Sequence, residues 1–217
     1  MITTSDLIDA LVANAEPVRR LRPPIVRAAL WLLFAALILA LLAISHGVRP
    51  DLAQRLQQPV FVIGIAASLL TGVLAAVASF IVSLPDRSRL WLLLPTPALA
   101  LWVSTIGYGC LTNWISLQPD GIRLTETAEC FATLVLTSVP LSFAMLAMLR
   151  YAALFRSTTV AMMGSLAVAA IAATALSLFH SLDATVMILI WNLGAVALVV
   201  GLGSVFGNRM FSCVAPR

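Results

Sequence analysis

Residues 58–83 read QPVFVIGIAASLLTGVLAAVASFIVS, a run of 26 residues without an Asp, Glu, Lys or Arg. About 20 predominantly apolar residues in a helix cross the hydrocarbon core of a bilayer. This run exceeds that length, enough for the helix to tilt or to project beyond the lipid. Outward from it in both directions, charged residues cut the chain into further runs of the same kind, at roughly 26–45, 91–112, 127–149, 159–180 and 184–206. None shows the two-residue alternation of a membrane β-barrel strand. The last two runs are parted only by a tight polar turn at His180, Ser181, Leu182 and Asp183. The expected fold is all-α: an integral membrane bundle of six transmembrane helices, preceded by a short N-terminal amphipathic helix.

Composition agrees. Of 217 residues 61% are hydrophobic and 10% charged, against about 25% charged in a soluble domain, and mean hydropathy is +1.04. So few charges cannot cover that much apolar surface in water, so lipid is the expected solvent. All 13 basic residues are Arg. With the N-terminus inside, cytoplasmic segments hold Arg19, Arg20, Arg22, Arg27, Arg87, Arg89, Arg150, Arg156, Arg209 and Arg217, and the opposite side holds Arg49, Arg55 and Arg123. That positive-inside bias requires an even number of spans and puts both termini in the cytoplasm. It also accounts for the basic balance without a nucleic-acid partner. The chain divides into a cytoplasmic segment at 1–25, a membrane domain at 26–208 and a cytoplasmic tail at 209–217. The expected location is a bacterial inner membrane.

The first 25 residues differ from all that follows. Their polar start is unlike a cleavable signal peptide, and the first apolar run has spanning length. Thr3 and Asp6 have the spacing of a capping box, and Leu7, Ile8, Leu11, Val12 and Ala15 recur at helical spacing. Asp6, Asp9, Asn14 and Glu16 take the other faces, and Pro17 ends the pattern. Arg19, Arg20, Arg22 and the Pro23-Pro24 break follow. So short a helix needs a surface to fold against. Helices that lie on lipid carry a basic polar face, whereas this one is acidic, which fits a protein partner better. A tail without structure and a docking segment both stay open on pattern alone.

The apolar runs have no Asp, Glu, Lys or Arg in their middles, where coupled transporters place ionisable groups. The two histidines, His46 and His180, fall at outer helix ends, and no Ser-His-Asp set, zinc motif, phosphate loop or dinucleotide fingerprint is present. No enzyme, cofactor or metal site is expected. Gly203 and Gly207 form a GxxxG, read as close packing within the bundle or a dimerisation face. Asn192 is expected to hydrogen-bond a neighbouring helix. Trp31, Trp91 and Trp114 are expected as interfacial anchors, and Pro95, Pro97 and Pro140 as kinks. Cys110 and Cys130 flank one outer loop, where a disulfide is sterically conceivable; each also reads as an inert small hydrophobe. Cys213 is expected as a free thiol in the tail.

Along its whole length the sequence resembles the NrsF family, membrane-bound anti-sigma factors that act on extracytoplasmic-function sigma factors. The resemblance runs through Asp6-Leu7-Ile8-Asp9-Ala10-Leu11, Pro17-Val18-Arg19-Arg20-Leu21-Arg22-Pro23-Pro24, Arg27 and Trp31, then Arg49-Pro50-Asp51-Leu52, Cys130, Pro140 and Arg150, and His180 before Trp191 and the glycine-rich last run. It implies six spans and a cytoplasmic N-terminus that holds the sigma factor at the membrane, with no direct nucleic-acid contact. The binding residues would be Asp6, Leu7, Ile8, Asp9, Leu11, Val12, Glu16, Arg19 and Arg20. The aliphatic groups would supply roughly 5–8 kcal/mol before ordering costs, and the acids would meet basic residues of the sigma factor. The resemblance further implies an oxidant or heavy-metal response sensed by two extracytoplasmic cysteines. Cys130 matches the first. The second belongs beside the His of the last turn, where this sequence reads His180-Ser181. Serine forms no disulfide, so Cys110 as substitute, Cys130 acting alone, or a different stimulus are the alternatives. From another class, a small multi-pass transporter or channel lined by Ser, Thr and backbone is the alternative function.

Overall fold

The computed structural model describes residues 4, 12–13, 22–113, 124–149 and 157–179, without the side chains of residues 46, 109–113, 124–131 and 157. The described residues hold α1 (Pro24–His46), the one-turn α2 (Leu52–Arg55), α3 (Pro59–Val82), a 3-10 helix (Arg89–Leu93), α4 (Thr96–Asn113), α5 (Leu124–Leu149) and α6 (Ser157–Phe179), and no strand. Five helical segments among them are long and apolar enough to cross a membrane. They answer to the first five expected spans. The sixth, at 184–206, lies outside the described residues, as do Gly203, Gly207, Asn192 and Cys213.

Local chemistry sets the ends. Pro23 caps α1 and Pro24 opens it, positions where the missing N–H is no loss. Gly47 ends α1 at φ +74, a left-handed turn that favours glycine. The third run behaves differently from expectation. Pro95 and Pro97 do not kink one helix; a 3-10 helix stops at Leu93 and α4 starts at Thr96. The Pro95 carbonyl accepts from Leu99 N at 2.9 Å, so both prolines occupy the first turn of a new helix, where no donor is needed. Pro140, by contrast, is carried inside a continuous α5.

α3 is the hub, packing against α1, α4 and α6, while α5 packs against α1 and α6. The helices alternate in direction. Ser68 meets Thr174 and Ser79 meets Val160, so α3 and α6 are antiparallel. Along their seam lie Ala67, Ser68, Thr71, Gly72, Ala75, Ala76 and Ser79, with Ala167, Val168, Ile171 and Thr174 opposite. Small residues let backbones approach, and in lipid that closeness replaces the hydrophobic effect as the source of packing energy. A Cβ on Gly72 would lie 2.9 Å from Ile171 Cδ1 and 3.4 Å from the Ala167 carbonyl. A second cluster of Leu134, Ala172, Ala173 and Leu176, with Trp102, fills the half towards the end of α6. The outer surface is apolar, with Ile25, Leu33, Leu37, Ile44, Leu101, Val139 and Phe143 exposed.

Trp31 departs from its expected place. It is fully buried, and its indole donates to the Leu141 carbonyl at 3.2 Å. It is a core peg of α1 on α5, because the Leu141 carbonyl takes its N–H.

Candidate functional site

The leader residues Asp6, Leu7, Ile8, Asp9, Leu11, Glu16, Arg19 and Arg20 lie outside the described residues. Thr4, Val12 and Ala13 have helical backbone and exposed side chains, Val12 at 70%. An aliphatic group left that open is mostly uncovered by the rest of the chain. Arg22 and Pro23 are exposed as well, so the chain enters α1 at the surface.

At the point of entry the chain is anchored. Arg27, the fourth residue of α1, turns inward and is 5% exposed. Its guanidinium donates to the Met148 carbonyl near the end of α5 and lies over the Phe80 ring of α3, 5.2 Å from the centroid. A carbonyl and an aromatic face are acceptable partners for a desolvated guanidinium. Arg27 had been expected as a cytoplasmic flanking charge. It falls at the same end of the bundle as Arg22, Arg87 and Arg89, but as part of the packing.

The opposite end of α1 is anchored in a similar way. After Gly47, the Arg49 amide donates to the Leu178 carbonyl of α6 at 3.3 Å. Its side chain is buried, donates to Asp51 Oδ1 and Oδ2 at 2.6 and 2.8 Å, and faces the Phe61 ring of α3 at 5.9 Å. Arg55 reaches Asp51 Oδ2 at 3.6 Å. Asp51 lies in the loop between spans, and the Arg49 hydrogen bonds hold its carboxyl below the ordinary carboxylate value of 3.8. The loop thereby closes over the last turn of α6, next to where His180 follows in sequence.

The expected sensor residues concentrate towards this end. Cys110 is in the last turn of α4 and Cys130 in the second turn of α5. Gly64, early in α3, lies 3.4 Å (as a Cβ) from Thr105 Oγ1, which puts the end of α4 beside the start of α3. The Cys110 and Cys130 side chains, the loop 114–123 and His180 lie outside the described residues, so their pairing does too. Among the described residues no group of three His, Cys, Asp or Glu is arranged to hold a metal. Every buried side-chain nitrogen or oxygen there has a partner; most buried hydroxyls bond a carbonyl one turn back, as Thr71 does with Ala67 and Thr137 with Thr133.

Sequence reasoning missed the two arginine anchors and the α3–α6 seam. A signal for the first was on the page: Pro23-Pro24 fixes where α1 begins, so Arg27 must stand one turn inside it. The signal for the second was the recurrence Gly64, Ser68, Gly72, Ala76 at four-residue spacing.

A protein-family model described as NrsF, negative regulator of sigma F, matches residues 11–212. The match covers the whole bundle and begins at Leu11, inside the leader. Comparison with curated proteins and with solved structures finds no match.

Proposed function

The chain belongs to the NrsF family of negative regulators of sigma F, and from that membership we propose that it is an anti-sigma factor of a bacterial inner membrane. In this reading the chain crosses the bilayer six times with both termini in the cytoplasm. The leader, residues 1–25, binds an extracytoplasmic-function sigma factor and keeps it from RNA polymerase. Leu7, Ile8, Leu11 and Val12 supply the apolar contact, while Asp6, Asp9 and Glu16, followed by Arg19 and Arg20, fix orientation by charge. The protein acts by binding and release; it carries out no reaction and needs no cofactor.

The observation that carries the reading is the family match across almost the whole chain, joined to a polar leader that enters an apolar bundle through Pro23-Pro24. The far end of the bundle, which holds the end of α4 with Cys110, the start of α5 with Cys130 and the loop over α6, is the proposed receiving side for an oxidant or heavy-metal stimulus.

The test is capture and derepression in the native host. Full-length protein in membranes should co-purify the sigma factor, Leu11→Asp should abolish capture, and deletion of residues 2–16 should switch on the sigma-dependent promoter. If the deletion leaves every sigma-dependent promoter of the cell silent, the anti-sigma reading is wrong. In the same reporter strain Cys130→Ser should block induction by oxidant or metal; full induction would remove Cys130 from sensing.

A further inference from the structure

Resting on the reading of the leader as the sigma-binding segment, we propose that α1 is the rod that connects the far-end loop to the leader. Arg27 and Arg49 are the positioning residues that set its axial register.

α1 touches the bundle along one stripe, with Ala28, Trp31, Ala35 and Leu42 buried and Leu32, Ile38 and Leu39 packed beside them. Its other faces, with Leu30, Leu33, Leu37, Leu41 and Ile44, are exposed and apolar. These aliphatic contacts hold α1 to the bundle by van der Waals packing, and they are less directional than hydrogen bonds in setting its register. Directional polar contacts specify it strongly. At the leader end they are Arg27 on the Met148 carbonyl and Trp31 on the Leu141 carbonyl. At the far end they are the Arg49 amide on the Leu178 carbonyl and the Arg49 guanidinium on Asp51. Both arginines are buried, at 5% and 6% exposure, and each also faces a ring of α3.

From Arg27 to the end of α1 at His46 the helix rises about 28 Å, and Arg49 follows three residues later. Two consecutive prolines join the rod to the leader, so little of a displacement is lost in a soft hinge. At the far end Arg49 ties the rod to the end of α6 and to the loop above it. A change there that unseats Arg49 leaves α1 held at one end only. Helix shifts of about 1–2 Å are an established form of such transmission, and here the shift arrives at the leader.

The test reads the leader from the opposite end of the rod. Full-length protein in inverted membrane vesicles is treated with trypsin, which cleaves this Lys-free chain only after Arg. Cleavage after Arg20 reports the leader, and cleavage at Arg87 or Arg89, which join α3 to α4 rather than to α1, is the internal standard. Arg49→Gln and Asp51→Asn should each raise cleavage after Arg20 by about tenfold, the shift produced by losing one charge-assisted hydrogen bond from one of two states. Arg27→Gln should act in the same direction, Arg49→Lys should stay nearer the wild type, and the resting promoter should rise in parallel. A variant that loses its fold raises cleavage at the standard sites too; Asp51→Asn, on the exposed side of the pair, then gives the reading. If both far-end variants leave cleavage after Arg20 unchanged or slower, or if Arg27→Gln alone has an effect, the rod is refuted. Trypsin involves no sigma factor. Should deletion of residues 2–16 fail to switch on the promoter, the anti-sigma reading falls, while the cleavage result still decides the rod.

Discussion

Gly72 and Ile171 meet in the α3–α6 seam, where one added methyl would come 2.9 Å from Ile171 Cδ1. Ile171 Cγ1 follows at 3.0 Å, so turning the terminal methyl aside does not relieve the contact. Gly72→Ala should therefore lower stability by about 1–3 kcal/mol, as overpacking does. Ile171→Val, which removes the clashing methyl, should recover part of that loss in the double variant. Thermal unfolding in detergent micelles, read as the midpoint, checks both; equal midpoints for wild type and Gly72→Ala would show that the seam is loose. The four-residue recurrence of small residues in α3 marks Gly72 as facing a neighbour, but nothing in the sequence names Ile171 as the residue opposite. Trp31 makes the same point in reverse. Its place near the start of a span matches an interfacial anchor, and only the Leu141 carbonyl, 110 positions away in sequence, turns it into a buried peg.

At the level of elements, run length and proline placement were enough to find α1, α3, α5 and α6, since a bilayer-length apolar stretch has few alternatives to helix. The third run was harder. Two prolines two residues apart are compatible with a kink or with a fresh helix start, and the difference is which carbonyls remain to be satisfied. The one-turn helix α2 and the loop holding it were illegible, because their order comes from Asp51 binding Arg49 and Arg55 rather than from local preference. That contact gives a signed pH dependence. Asp51 titrates below its ordinary value when folded, through the Arg49 hydrogen bonds. Its contribution is therefore complete above the unfolded carboxylate pKa of about 4 and disappears as pH falls through the lower folded value. The unfolding midpoint of the wild type, minus that of Asp51→Asn, should be flat across neutral pH and shrink only below about pH 4. A difference that already shrinks between pH 7 and 5 would rule out this assignment.

For the whole molecule, the alternation of helix directions sorts the arginines. Arg22, Arg27, Arg87 and Arg89 collect at the leader end, and Arg49 and Arg55 at the other. If the leader end is cytoplasmic, a fluorescent protein fused after Arg217 should fold and glow, and alkaline phosphatase inserted after Gln57 should be active. Inactive phosphatase at Gln57, with active phosphatase at Arg217, would invert the topology. The sequence by itself determined the five runs long and apolar enough to cross a membrane, with their rough limits, and the family. Each of these follows from local composition, run length or direct likeness. Only the tertiary structure decided which arginines are anchors, where α1 is held, and how closely α3 and α6 approach. Those properties belong to partners far apart in sequence, joined by carbonyls that are chemically identical at every position and become distinct only when helices pack.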